Sequence, residues 1–243
     1  MLPGGGGSSG VTGCLFGRCV AGLSGVMGCR AWQFVGMDYR RTYRSAAIAF
    51  ADLVSRIPAS ALDGPGLDEW TMRDLLGHTV SSALRQVPTV LADRAPTLLV
   101  PAPEAYFALA RTAPADLVAA ARKASTDDAR ATGAALGDEP ATAVSGYIGR
   151  ATAALAGAAD DDLVATPAGG MRVCDWLPTR TFELVVHASD AAEAAGLTVG
   201  LDYETLAETT ALAARIAAAT GHGLPALRAL TGRTPLPAAF SVV

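Results

Sequence analysis

The chain has 243 residues, 51% of them hydrophobic and 17% charged, with a formal net charge of −4. That length and apolar content can bury a substantial core in one large domain or two small ones, and they exclude a disordered chain. The acidic balance and scattered Lys and Arg leave no basic footprint for nucleic acid, and no run of about 18 apolar residues suggests a membrane span.

Alanine supplies much of the apolar fraction, while aromatics make up only 6%. Alanine is the strongest helix former and fits between closely packed helices, so a mainly α fold is expected. Residues 1–36 differ from the rest: they hold 11 of the 26 glycines, Cys14, Cys19 and Cys29, and no acidic residue. They lack the features of a secretory signal, and the cysteine spacing fits no ordinary zinc ribbon. Translation is therefore expected to begin at Met37, with residues 1–36 an over-extended start or a disordered tail. From Met37 the balance is 17 basic to 23 acidic residues, or −6, and Cys174 is the only cysteine. This suits a cytoplasmic protein without a disulfide framework.

Tyr43, Ala46, Ala47, Phe50, Leu53, Val54 and Ile57 recur at threes and fours, predicting an amphipathic helix over 39–57 that Pro58 closes. Thr71 and Asp74 form the signature of a capping box. The helix they open carries "MRDLLGHTVSSALRQV" and should kink or end near Pro88. Short helices are expected over 104–111, 114–123 and 129–136, and a longer one after Pro140. Gly169-Gly170, between the apolar runs 163–165 and 171–173, suggests the turn of a small hairpin. A helix from about Cys174 to Ala195, ending at Gly196, carries "FELVVHASD". A last long helix over 203–220 precedes a tail in which Pro235 and Pro237 forbid another, and "FSVV" could add an edge strand beside the hairpin. The fold class is a helical bundle with a small β element, residues 37–196, and an α-rich extension, residues 197–243, packed on it.

Glu183 and His187 are four apart, so a helix stacks them on one face. Such a pair can supply two metal ligands, and His78 on another amphipathic helix could supply the third, leaving an open position. The same pair can equally be a weak surface interaction, and His78 a boundary histidine. Asp190, three after His187, could fix the imidazole tautomer or be a solvated helix residue. Arg180, three before Glu183, could steer that carboxylate, bind an anionic substrate, or be an ordinary surface arginine. Trp70 and Trp176 read as anchors of helix starts, Cys174 as a buried small residue, and His222 as a loop residue outside the site.

The stretches "DEWTMRDLLGHT", "GGMRVCDWLPTRTFELVVHASDAAEAAGL" and "LRALTGRTPLPAAFSVV" resemble the actinobacterial proteins built on the maleylpyruvate isomerase N-terminal domain, within the wider DinB/YfiT-like four-helix bundles. The resemblance covers essentially residues 37–243. It implies that His78, Glu183 and His187 bind a divalent metal, usually zinc. It also implies mycothiol as co-substrate in an isomerase or transferase acting on a small electrophile. The chain after Gly196 is shorter than the isomerase's C-terminal domain, and none of Arg215, Arg228 and Arg233 matches that domain's basic residue. The alternative is a non-catalytic metal-binding bundle serving as a sensor or partner-binding module. The expected partners are a small thiol and electrophile, with a homodimer compatible, but neither nucleic acid nor membrane.

Overall fold

The computed structural model describes residues 38–243, so the expectation for residues 1–36 lies outside the described residues. Helix α1 spans Tyr39–Arg56, and its N-cap Asp38 accepts hydrogen bonds from the Arg40 and Arg41 amides at 2.9 and 3.1 Å. Thr71 caps α2, Met72–Val80, through a complete capping box with Asp74, both bonds 3.1 Å long.

Helix α2 passes through a π-helical turn, Ser81–Arg85, directly into α3, Gln86–Ala92. Pro88 therefore neither ends nor breaks the rod. Proline cannot donate to the carbonyl four residues back and its ring crowds that carbonyl; the widened turn just before it absorbs the conflict.

Helix α4 is Pro103–Thr112, α5 is Ala115–Ala135 and α6 is Pro140–Ala156. The expected break between 123 and 129 does not occur, and α5 is continuous. The polar run "KASTDDAR" is held in the helix by Lys123–Asp127, four apart at 2.6 Å, and by Arg85–Asp128, also at 2.6 Å, which ties it to the α2–α3 rod.

The hairpin pairs β1, Leu163–Thr166, with β2, Gly169–Arg172, antiparallel, with Val164 opposite Met171. Its turn is Pro167-Ala168 and not the two glycines, which belong to β2. Gly170 is required by a crossing loop, since a Cβ there would stand 2.0 Å from the Thr97 carbonyl oxygen. The Leu99 and Val100 amides donate to the Gly170 carbonyl at 2.9 and 3.0 Å.

Helix α7, Val173–Ala194, starts as β2 ends, and Gly196 follows it at φ 64°. Helices α8, Tyr203–Ala219, and α9, Gly223–Leu230, complete the described elements. The bundle consists of α1, the α2–α3 rod, the α5–α6 limb and α7: α1 packs on α6 and α7, α2 on α5 and α7, and α3 on α6. Its core is built on large side chains such as Phe50, Leu53, Leu76, Trp176 and Leu184, all fully buried.

A second apolar cluster, Phe107, Phe182, Leu212 and Ile216, joins α4 and α8 to the outer face of α7, and Val242 packs on it. The C-terminal "FSVV" therefore adds no strand to the two-stranded sheet; apolar contact draws Val242 to this cluster instead. Among the described residues no helix is long and apolar enough to cross a membrane.

One packing detail positions the site. A Cβ on Gly77 would lie 2.2 Å from the Ala129 carbonyl oxygen, and one on Gly133 would lie 2.5 Å from the Arg73 carbonyl oxygen. The backbones of α2 and α5 thus touch beside His78.

Candidate metal centre

His78 lies in the last turn of α2, and Glu183 and His187 occupy successive turns of α7. One donor atom from each lies within 4.8 Å of the other two. The His78 and His187 rings meet edge to face at 84°, with centroids 4.7 Å apart, and His187 Nε2 is 3.3 Å from Glu183 Oε2.

The second nitrogen of each imidazole is engaged by a side chain behind it. Asp190 Oδ2 lies 3.1 Å from His187 Nδ1, so Asp190 is a partner of the ring and not a merely solvated helix residue. Ser125 Oγ on α5 lies 3.3 Å from His78 Nδ1. Both contacts leave the Nε2 atoms as the available donors. The Trp70 ring packs on His78 with centroids 4.8 Å apart, so Trp70 does more than anchor a helix start.

Burial and the neighbouring His187 charge push His78 down to about 4, against the pull of Glu183 and Asp128. Burial also opposes charge on His187. Its hydrogen bonds to Asp190 and Glu183, with the charge of both carboxylates, outweigh that and raise it to about 9. Burial likewise disfavours ionised Glu183, but the His187 hydrogen bond and the positive charges of Arg180 and His187 hold it below the usual carboxylate range. The protein alone thus holds a neutral His78 beside a carboxylate–imidazolium pair.

The donor set suits a divalent cation: two imidazole nitrogens and one carboxylate oxygen, partly buried, with each ring oriented from behind. A cation taken there would replace the proton on His187.

Arg180 is not a surface arginine. It is 2% exposed, and its Nη1 donates to the Ser82 carbonyl at 2.7 Å rather than to Glu183. Trp176 is fully buried in the core, as a helix anchor would be. Cys174, in the first turn of α7, is half-buried rather than buried, and it is not without a partner. His222 is the N-cap residue of α9, where its Nδ1 lies 2.9 Å from the Thr220 carbonyl oxygen and its ring faces Phe240.

Ser125 was not foreseen. It stands in a polar run with no periodic signal, and only the close approach of α5 to α2 brings it to His78.

The family model described as the mycothiol maleylpyruvate isomerase N-terminal domain matches residues 43–192. The chain belongs to that family. No curated protein and no solved structure matches it significantly.

Proposed function

Starting from that membership, we propose that the chain binds a divalent metal, zinc by the nature of its donors, through His78, Glu183 and His187, and uses mycothiol as a nucleophile toward a small electrophile in the cytoplasm. The observation that carries this reading is the approach of three metal-type donor atoms to within 4.8 Å of one another in a chain of this family.

A divalent cation at this position would supply Lewis acidity, lowering the pKa of a thiol so that the thiolate is available at neutral pH. The protein's own groups do the rest. Asp190 accepts the Nδ1–H of His187 and keeps its Nε2 turned toward Glu183. Ser125 holds the second imidazole in the same way. Trp70 covers one face of His78 and limits its movement.

Addition of the thiolate sulfur to one carbon of a conjugated double bond turns that bond into a rotatable single bond. Elimination returns the thiolate and the isomerised alkene, whereas protonation of the adduct gives net transfer. Both outcomes need the same thiolate held against the electrophile.

The test is direct. Zinc-loaded protein is mixed with mycothiol and a panel of conjugated electrophiles, and thiol consumption or alkene geometry is followed. The expected result is turnover that disappears in His187→Ala. Stoichiometric zinc with neither thiol consumption nor alkene isomerisation across the panel would leave the metal and remove the chemistry.

A further inference from the structure

Pro88 follows closely on the π turn Ser81–Arg85 that joins α2 to α3. Helical pairing of the α type would direct position 88 to the Leu84 carbonyl, four residues back; π pairing would direct it to the Ala83 carbonyl, five back. Proline has no N–H to offer either one. The Tyr43 hydroxyl, reaching across from α1, donates to the Ala83 carbonyl at 2.8 Å. Tyr43 is 1% exposed and Ala83 fully buried, so the bond lies away from bulk solvent. A side chain thus stands in for the donor that position 88 lacks.

The preceding carbonyl, that of Ser82, is met from α7. Arg180 Nη1 donates to it at 2.7 Å and to Gln86 Oε1 at 3.1 Å, while Nε donates to Thr179 Oγ1 at 3.1 Å. A buried guanidinium whose acceptors are all neutral adds little to packing strength. What its planar group fixes is geometry. Two successive carbonyls of the widened turn are therefore held by side chains, one from α1 and one from α7.

The turn sets the direction of His78. Ser81 opens it, and Ser81 Oγ donates to the His78 carbonyl at 3.1 Å. A π turn pairs residues five apart where an α turn pairs them four apart. Its collapse to α pairing would turn one side of the rod against the other by about 100° and shift it by about 1.5 Å. With α3 held on α6, that rotation would carry His78 off the side of the rod that faces Glu183 and His187. Arg180 also stands one turn before Glu183, so a single guanidinium ties the turn behind one donor to the helix bearing the other two.

We propose that Tyr43 and Arg180 are positioning residues for the metal centre: by donating to the Ala83 and Ser82 carbonyls they hold the π turn in the register that points His78 at Glu183 and His187. The assignment rests on the metal reading of that trio and adds two residues that touch neither the cation nor its ligands.

Zinc affinity of the full-length protein is measured by competition with a chelator in the parent, Tyr43→Phe, Arg180→Lys and Ile57→Ala, and in Tyr43→Phe combined with His78→Ala. Tyr43→Phe removes one oxygen and keeps the ring in the core. Arg180→Lys keeps the charge and loses the Nε bond to Thr179. Ile57→Ala removes buried apolar packing at the far end of α1 and serves as the control for general loss of stability.

The expected result is zinc bound at least about tenfold more weakly by Tyr43→Phe and by Arg180→Lys. Ile57→Ala should stay within about twofold of the parent, and Tyr43→Phe should add nothing once His78 is gone. Amide hydrogen exchange over residues 81–87, followed without metal, should quicken in Tyr43→Phe. If Arg180→Lys does not fold, Tyr43→Phe carries the test alone.

Zinc affinity or exchange unchanged in Tyr43→Phe, an equal loss with and without His78, or as large a loss in Ile57→Ala would overturn the positioning role. A parent that takes up no zinc removes the metal reading and this role with it. A parent that binds zinc through His78 while Tyr43→Phe binds it as tightly loses the role alone.

Discussion

His187 and Asp190 face each other within one turn of α7, with Nδ1 3.1 Å from Oδ2. That contact decides which nitrogen of the imidazole is left for Glu183, whose Oε2 lies 3.3 Å from Nε2. Asp190 is thus the orienting group of the ring, so its removal should act on metal affinity before it acts on the fold. In Asp190→Ala, zinc affinity measured by competition with a chelator should fall by about 10–100-fold. The circular dichroism spectrum should stay that of the parent. Unchanged affinity would mean that the carboxylate is only a helix-surface partner.

Glu183→Gln keeps the size of the side chain and removes the charge. Its amide oxygen is a weak ligand, and its N–H₂ can face the cation instead. A ligand bound only by the folded state stabilises it by about 2.7 kcal/mol at a hundredfold excess over Kd. Zinc at that excess should therefore raise the melting temperature of the parent by several degrees and leave Glu183→Gln nearly unmoved. Differential scanning fluorimetry with and without zinc reads both. A parent melting curve indifferent to zinc would sink the metal centre itself.

The contact between α2 and α5 makes a prediction of opposite sign at two kinds of glycine. At Gly77 an added Cβ would meet the Ala129 carbonyl oxygen at 2.2 Å and the Gly133 amide nitrogen at 2.4 Å. Backbone cannot yield cheaply, so Gly77→Ala should destabilise by at least about 1–3 kcal/mol despite the helix propensity of alanine. It should also loosen the Ser125 contact with His78. At Gly149, in α6, nothing lies within 4 Å of the added Cβ. Gly149→Ala should stabilise by about 0.5–1 kcal/mol. Urea denaturation of the two variants should show midpoints moving in opposite directions.

The parts of this molecule that could be read from sequence are those whose cause is local. The α1 stripe from Tyr43 to Val54, the Thr71–Asp74 box and the Gly196 stop each depend on residues a few positions apart. The adjacency of Glu183 and His187 is of the same kind, because helical spacing alone stacks them. Wherever the deciding neighbour is distant in sequence, local reasoning failed. Asp128 holds α5 continuous through a partner on the α2–α3 rod, and Gly170 answers to Thr97 rather than to a turn. Burial of Arg180 and the Ser125–His78 contact likewise depend on which helices meet, which periodicity does not reveal.

The start of α8 supplies a pH-dependent test away from the candidate site. Asp202 caps the helix by accepting the Thr205 amide at 2.7 Å, and its other oxygen accepts the Ser45 hydroxyl of α1 at 2.6 Å. These bonds favour the carboxylate and, with the nearby Arg41, hold it down at about 2. A folded-state value below that of the unfolded chain, about 3.9, means that the carboxylate adds stability above pH 4 and loses it as pH falls through 2. The side chain is 37% exposed, so solvent screens the Arg41 attraction, and the Ser45 hydroxyl bond followed by the Thr205 cap bond dominates. Asp202→Ala should therefore cost about 1 kcal/mol at neutral pH. The gap between parent and variant should close as the solution is acidified from pH 4 toward pH 2. Urea melts of both proteins across that range would show the convergence; a gap that stayed constant down to pH 2 would mean that the charge on Asp202 contributes nothing.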